Sequence, residues 1–186
     1  MDQRDLVARA AEGDHDAFAQ LVGATIAHNE AVARLILHDR ELARDAVQEA
    51  YIRAWRDLRG LRDPDRFDAW LHRLIVNSCL DVLRRRRRRV IEVELTGVDA
   101  RSVTDESGLV ADRDQLERCF QRLRPELRAV LVLHYYVGLS TGAVAETLGI
   151  PLGTVQSRLH RSRSELRAAI AADDRTAAAV RGGQTA

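Results

Sequence analysis

Near the carboxyl end of the chain, polar side chains recur at a spacing suited to hydrogen bonding along one face of a helix. Five of them would project together: Gln156, Ser157, His160, Arg161 and Ser164. Amide, hydroxyl and guanidinium groups are those that bond base edges in a DNA major groove. Arginines flank this stripe and could contact phosphates, namely Arg158, Arg163 and Arg167. The chemistry indicated is recognition of duplex DNA.

Two helices and a turn must position this stripe. The pattern predicts a short helix over residues 140–148, a turn at Gly149-Ile150-Pro151 and a longer helix from about Leu152. Gly149 suits the left-handed backbone that ends a helix, and Pro151 stands where the next one begins. The face expected to point inward comprises Leu152, Val155, Leu159, Ser162 and Leu166. The alternative interpretation is a helical hairpin whose solvent-exposed arginines only keep the protein soluble.

A second polar face lies in the amino-terminal half, on the helix predicted over residues 41–58. Its outward stripe carries Asp45, Gln48, Glu49, Ile52 and Arg56, and the opposite stripe is apolar and rich in alanine. Two carboxylates and an amide could meet arginines on a partner helix, although such groups are more often a solvated surface.

A third feature is an amphipathic helix that runs into six consecutive arginines at residues 84–89. Apolar residues recur in it at intervals of three and four: Phe67, Trp70, Leu71, Leu74, Ile75, Cys79 and Val82. This periodicity favours core packing over base stacking for Phe67 and Trp70. The arginines suit phosphate contacts or, alternatively, a disordered arm that binds any polyanion.

Composition indicates the fold class and the domain boundaries. The 186 residues are 46% apolar and their periodicity is helical almost throughout, which predicts an all-α protein. The net charge is only +1, but residues 91–117 contain eight acids against two arginines. We therefore expect a first small helical domain over residues 1–90, a flexible acidic linker over 91–111, a second helical domain over 112–172 and a disordered tail over 173–186.

The sequence offers no support for an enzyme. It contains no nucleophile elbow, phosphate-binding loop or H-E-x-x-H pair, so no catalytic residue, metal site or cofactor is predicted. Its two cysteines, Cys79 and Cys119, are expected to be reduced and buried. No apolar run approaches the roughly 20 residues that cross a bilayer, and the first residues lack the basic flank of a signal peptide. A cytoplasmic protein without membrane insertion is expected.

Three motifs together resemble those of extracytoplasmic-function sigma factors, the promoter-recognition subunits of bacterial RNA polymerase. Region 2.2 of that family resembles Asp45-x-x-Gln48-Glu49-x-Tyr51-x-x-Ala54-Trp55. Region 2.4 resembles Phe67-x-x-Trp70-Leu71-x-Arg73-x-x-x-Asn77-x-x-x-Asp81 and the arginines after it. Region 4 resembles Gly153-Thr154-Val155, Ser157-Arg158-Leu159 and Arg161-x-Arg163. The resemblance extends over about residues 6–170.

The resemblance implies roles for particular residues. Core RNA polymerase would be bound by Asp45, Gln48, Glu49 and Ile52. The minus-ten element, captured as an unstacked single strand, would be contacted by Arg73, Asn77, Arg84, Arg85, Arg86 and Arg87. The minus-35 element would be contacted by Thr154, Gln156, Ser157, Arg158, His160, Arg161 and Arg163. Relatives commonly carry lysine or arginine at the position of Gln156, so the preferred promoter stays open.

The resemblance also implies an alternative sigma factor that directs promoter-specific initiation, with three partners. These are core polymerase, through its β′ coiled coil and β flap, promoter DNA, and an anti-sigma protein that occludes the same surfaces. Catalysis would belong to the polymerase. The rival hypothesis is a transcription regulator whose helix-turn-helix binds duplex operators without polymerase.

Overall fold

A computed structural model describes residues 2–96 and 111–183, and the side chains of these residues except 87, 89–96, 111–114 and 176–183. Within those ranges the chain forms helices and no strand, which confirms the all-α prediction. The helices are α1 (Gln3–Ala11), α2 (His15–Leu37), α3 (Arg40–Asp57), α4 (Phe67–Thr96), α5 (Ala111–Gln121), α6 (Pro125–Leu131), α7 (Thr141–Leu148) and α8 (Leu152–Gly183). A π-helical turn, Val132–Tyr136, continues α6.

Helices α1 to α4 form the first domain. The aspartate before α3 caps it, because the Asp39 carboxylate accepts hydrogen bonds from the amides of Glu41 and Leu42, each at 3.0 Å. Along α3, the alanines predicted to face inward are buried: Ala43, Ala46, Ala50 and Ala54. Small side chains on this stripe allow α3 to pack closely against α2 and α4.

One polar cluster is buried between α2 and α3. The side-chain amide of Asn29 donates to the hydroxyl of Tyr51 at 2.9 Å, and the hydroxyl of Thr25 lies 2.7 Å from the same oxygen. Asn29 is 2% exposed, and burial raises the pKa of Tyr51. The Tyr51 hydroxyl therefore satisfies a donor that water cannot reach.

Helices α5 to α8 form the second domain. Proline begins α6 as predicted, and the buried side chains of this domain include several from α6, its π-helical continuation, α7 and α8: Leu127, Val130, Leu133, Val144, Val155 and Leu159. The two domains touch, because α7 packs against α4 while α6 and its π-helical turn pack against α2. Their buried side chains form one contiguous cluster.

The structure differs from the predicted boundaries in two places. Helix α4 continues to Thr96, into the predicted linker, and residues 97–110 of that linker lie outside the described residues. Helix α8 continues to Gly183, so the prediction of disorder from residue 173 is wrong as far as that glycine. Alanine-rich sequence has high intrinsic helix propensity. In addition, Asp173 accepts a hydrogen bond from Arg122, just after α5, at 2.8 Å, and Asp174 accepts one from Gln115 of α5 at 2.6 Å. In the described part of the chain no helix is both long and apolar enough to span a membrane.

The buried cluster predicts a stability effect for Tyr51→Phe. Removing the hydroxyl leaves the buried Asn29 amide without an acceptor, so the free energy of unfolding should fall by about 1 to 3 kcal/mol in urea denaturation. Tyr135→Phe is the matched control, because Tyr135 is 59% exposed and its loss should change the free energy by less than about 0.5 kcal/mol. Equal effects of the two substitutions would contradict this account of the cluster.

Candidate nucleic-acid interface

The helix-turn-helix forms where the sequence predicts it. The hydroxyl of Ser140 accepts a hydrogen bond from the amide of Ala143 at 3.2 Å and caps α7. Gly149 ends that helix with a φ of 64°, in the left-handed region that glycine adopts without strain. The carbonyl of Pro151 then accepts from the amides of Thr154 and Val155 at the start of α8. Backbone chemistry at these few positions therefore sets the angle between α7 and α8.

The inward face of α8 matches the prediction except at its first residue. Val155, Leu159 and Ser162 are buried and Leu166 is half-buried, but Leu152 is 46% exposed. Leu152 lies four residues before Gln156, so the helical repeat places it on the outer face with that glutamine.

The polar stripe of α8 is open to solvent. Gln156, Ser157, His160, Arg161 and Ser164 are all exposed. The guanidinium of Arg161 donates to the carboxylate of Glu165 at 2.7 Å, and the Ser157 hydroxyl donates to the Thr154 carbonyl at 3.0 Å. Arg161 is therefore held along the helix by an exposed ion pair of small free energy, which a nucleic acid could replace.

The flanking residues of the stripe differ in exposure. Arg163 and Arg167 are exposed, whereas Thr154 and Arg158 are half-buried. The half-buried pair is less free to follow a phosphate backbone than the exposed arginines.

Three of the residues assigned to the minus-ten element share one edge of α4. Arg73, Asn77 and Arg84 are spaced by four and seven residues, so they follow one another along that edge. Arg73 is exposed and Asn77 is half-buried. Opposite them the helix buries Phe67, Leu71, Ile75 and Cys79, which confirms core packing for Phe67; Trp70, half-buried, packs against that core.

The beginning of the arginine run is held by Asp81. Its carboxylate accepts from Arg84 at 3.0 Å and lies 3.6 Å from the guanidinium of Arg53 in α3, and its carbonyl accepts from Arg85 at 3.3 Å. Arg84, Arg85 and Arg86 are exposed; the side chain of Arg87 lies outside the described residues. Asp81 thus links the beginning of the arginine run to α3. The sequence motif that contains Asp81 did not predict this contact.

The outward face of α3 is also accessible. Asp45 and Gln48 are exposed, Ile52 is 40% exposed, and Glu49 is half-buried and paired with Arg53 at 3.0 Å. Beside Ile52 an apolar groove separates α2 from α3, lined chiefly by Phe18, Val22, Ile26, Tyr51 and Trp55. Sequence reasoning identified the polar stripe but missed the groove, because the groove requires side chains from two helices.

The two cysteines are unpaired and buried, as predicted. Burial raises the pKa of the Cys79 thiol to about 12, so it is protonated and unreactive at neutral pH.

Two family models match the chain in order. The model for Sigma-70 region 2 matches residues 25–89, which include α3 and the arginine run. The model for Sigma-70, region 4 matches residues 113–166, which include the helix-turn-helix.

Curated relatives and solved structures agree with those models. The chain is 32% identical over 178 residues to the RNA polymerase sigma-H factor of Pseudomonas aeruginosa, covering 88% of this chain and 91% of that protein. It is 35% identical over 163 residues to the ECF RNA polymerase sigma factor SigM of Mycobacterium tuberculosis, covering 87% of this chain and 81% of that protein. It is 38% identical to the sigma factor SigE of Mycolicibacterium smegmatis, but there the match spans 70% of this chain and about half, 51%, of the relative.

Among solved structures, CnrH in complex with the cytosolic domain of CnrY matches with a TM-score of 0.67 and 31% identity, over 92% of this chain and 98% of that one. RpoE of Bartonella quintana, solved with the anti-sigma factor NepR, shares the fold with a TM-score of 0.69 at 24% identity, over 84% of this chain and 98% of that one. With two sigma regions in order and relatives matched over most of both chains, this chain belongs to the extracytoplasmic-function sigma factors.

Proposed function

We propose that this chain is an alternative sigma factor that binds core RNA polymerase and directs it, in the cytoplasm, to promoters with particular minus-ten and minus-35 elements. The observation that carries the proposal is the presence of both sigma regions in one chain, each with its polar face exposed. The rival hypothesis, an operator-binding regulator, requires only the helix-turn-helix and does not explain the polar face of α3. The chain contributes recognition, and the polymerase contributes catalysis.

The outward face of α3 is the proposed binding site for the β′ coiled coil of core polymerase. Asp45 and Gln48 present a carboxylate and an amide to solvent, and the exposed Ile52 adds apolar surface between them and the groove. A partner helix that carries arginines and apolar residues would meet both kinds of surface. Glu49 would have to exchange its ion pair with Arg53 for one with polymerase.

The outer edge of α4 is the proposed reader of the minus-ten element. Asn77 supplies a donor and an acceptor for the edge of an unstacked base, and Arg73 with the exposed arginines from residue 84 supplies cations for the backbone. The Trp70 ring is half-buried against the core, with its centroid 6.1 Å from that of the buried Phe67 ring, so its proposed role is to support this edge.

The stripe of α8 is the proposed reader of the minus-35 element in duplex form. Gln156 and Arg161 have the side chains that bond adenine and guanine edges in the major groove, and Ser157 and His160 lie between them. Arg158, Arg163 and Arg167 are assigned to the adjacent phosphates, and Thr154 is assigned to the same minus-35 element. The β flap is proposed to hold this domain on the polymerase, and an anti-sigma protein to compete for the same surfaces.

Reconstituted transcription tests the proposal directly. Purified core polymerase is given this chain and fragments selected from the source genome, and run-off transcripts are sequenced. We expect discrete start sites only when core and chain are both present, preceded by shared motifs at minus ten and minus 35. Absence of any association between the chain and core polymerase would rule the proposal out.

The double substitution Gln48→Ala with Glu49→Ala should weaken binding to core polymerase, because it removes the amide and one carboxylate of the proposed docking face. We expect affinity to fall at least tenfold, about 1.4 kcal/mol, in competition against a labelled sigma factor. Arg118→Ala with Gln121→Ala, exposed on α5, serves as the control and should compete like the unmodified chain. Full competition by the α3 variant would place the docking site elsewhere.

Arg161→Ala should weaken binding to duplex promoter DNA by about 1 to 3 kcal/mol if its guanidinium reads a base. The measurement is fluorescence anisotropy with the holoenzyme and a duplex minus-35 fragment. Its matched control is Arg122→Ala, since Arg122 is an exposed arginine of the same domain that binds Asp173. Unchanged DNA affinity for the Arg161 variant would refute the assignment.

A further inference from the structure

Leu152, the first residue of α8, is exposed beside a stripe that is otherwise polar. Its side chain is 46% exposed, although leucine is a residue type that usually packs inward in the first turn of such a helix. It lies one helical turn before Gln156 and on the same side of α8. Single exposed leucines are common on protein surfaces, so exposure alone does not indicate a contact.

Gly153 leaves the outward stripe bare in the first turn of α8. It lies three and four residues before Gln156 and Ser157, which belong to that stripe. A β-carbon added to Gly153 would meet no other described part of the chain within 4 Å, and the φ of this residue is not in the left-handed region. Neither packing nor backbone conformation therefore requires glycine, which has a lower helix propensity than alanine. A bare backbone at this position suits close approach of an outside surface.

The charges of the first turn favour DNA as that outside surface. An Asp or Glu in the first turn stabilises a helix through the partial positive charge at its amino end. Among the helices whose first-turn side chains the structure describes, α7 and α8 alone lack such an acid. The others carry Asp5, Asp16, Glu41, Asp68 and Glu126. The two helices of the helix-turn-helix thus have no carboxylate in the turns that a DNA backbone would approach.

A leucine side chain matches one feature of the major groove, the C5-methyl group of thymine. Thymine is the base that presents a methyl group there, whereas the amide of Gln156 is suited to the N6 and N7 atoms of adenine. Four residues of α-helix rise about 6 Å, and neighbouring base pairs are about 3.4 Å apart. A thymine in contact with Leu152 and an adenine bonded by Gln156 should therefore lie within about two base pairs of each other.

We propose that Leu152 contacts the methyl group of a thymine in the minus-35 element, within about two base pairs of an adenine that Gln156 bonds, and that Gly153 lets the first turn of α8 come close to the groove. The inference rests on the proposed function of α8 in binding that element. It adds apolar recognition of one base to the polar contacts assigned above. The preferred minus-35 sequence of this chain should accordingly contain both bases.

Replacement of single thymines by uracil tests the contact, because uracil differs from thymine only in lacking the methyl group. The holoenzyme is titrated, by fluorescence anisotropy, with duplex minus-35 fragments from promoters that the transcription experiment identifies. At one position we expect the replacement to lower affinity about fourfold, the effect of losing one buried methyl-sized group. In the Leu152→Ala holoenzyme, whose affinity for the thymine duplex should be lower by a similar factor, the same replacement should have little further effect.

Leu116→Ala is the matched control, because Leu116 is an exposed leucine of the same domain that lies on α5. Its holoenzyme should keep the full response to uracil. Leu152→Met should keep the response as well, since methionine retains an apolar side chain of similar size. The contact is overturned if no thymine responds to uracil, or if the response persists in Leu152→Ala.

An apolar contact with polymerase is the competing explanation for the exposure of Leu152. It predicts that Leu152→Ala competes less well for core polymerase while sensitivity to uracil stays unchanged, and this outcome would also overturn the proposal. Promoter-specific start sites in the transcription experiment depend on neither result. The assignment of Leu152 can therefore fail while the proposed function stands, whereas loss of core association would remove the function itself.

Replacement of adenines by 7-deazaadenine locates the partner of Gln156, because this base lacks the N7 acceptor. One replacement should weaken binding of the unmodified holoenzyme but not of the Gln156→Ala holoenzyme. Its position should lie within about two base pairs of the thymine that responds to uracil. A greater separation would contradict the placement of the two side chains on one side of α8.

Gly153→Ala tests the close approach separately. The added methyl group meets open space within the chain, and alanine is the better helix former, so the midpoint of urea denaturation should not fall. Affinity for the thymine and uracil duplexes should fall by similar factors, at least about threefold, because the methyl group would meet the DNA. Unchanged DNA affinity would show that this turn of α8 does not come close to the groove.

Discussion

Burial of one edge of α4 is the constraint on which the rest of the molecule depends. Phe67, Leu71, Ile75 and Cys79 occupy that edge at four-residue intervals and are almost completely inaccessible. Because the helix is regular, fixing this edge in the core also fixes where the opposite edge points. Arg73, Asn77 and Arg84 therefore face away from the core of the first domain, and Arg73 lies beside the turn that follows α7. Burial of this one edge thus positions both the residues proposed to bind the minus-ten strand and the surface that α7 contacts.

The charged side chains on these surfaces differ in how strongly their present partners hold them. The ion pairs on the three polar faces, such as Arg161 with Glu165 and Arg53 with Glu49, are exposed or only partly buried, so they contribute little to stability and can be exchanged for contacts with a partner. Arg128 is different, because it is buried where α6 packs against α2, close to His38, and burial lowers the pKa of its guanidinium. Groups that are inexpensive to rearrange lie on the proposed binding faces, and a group that is costly to bury lies between the two domains.

The sequence predicted those features that depend on short-range backbone rules. Ser140, Gly149 and Pro151 act at single turns, and the buried edges of α3 and α4 follow from helical periodicity, so all of them could be read without coordinates. Leu152 was assigned to the wrong face because a leucine in a first turn fits an apolar stripe by type while its spacing from Gln156 places it outside. The end of α8 was missed because its stabilising partners, Arg122 and Gln115, are about fifty residues away in sequence. The contact between the two domains and the groove beside Ile52 could not be predicted, since each is made by side chains of helices whose relative placement no local pattern encodes.

The most direct measurement of the central claim is permanganate probing of unstacked thymines on a promoter fragment incubated with core polymerase and this chain. A sigma factor whose α4 edge captures the minus-ten strand predicts reactive thymines upstream of the start site only when both proteins are present, with much less reactivity for Asn77→Ala. Protection of a duplex site by the chain alone, with no reactive thymines when core polymerase is added, would contradict the account.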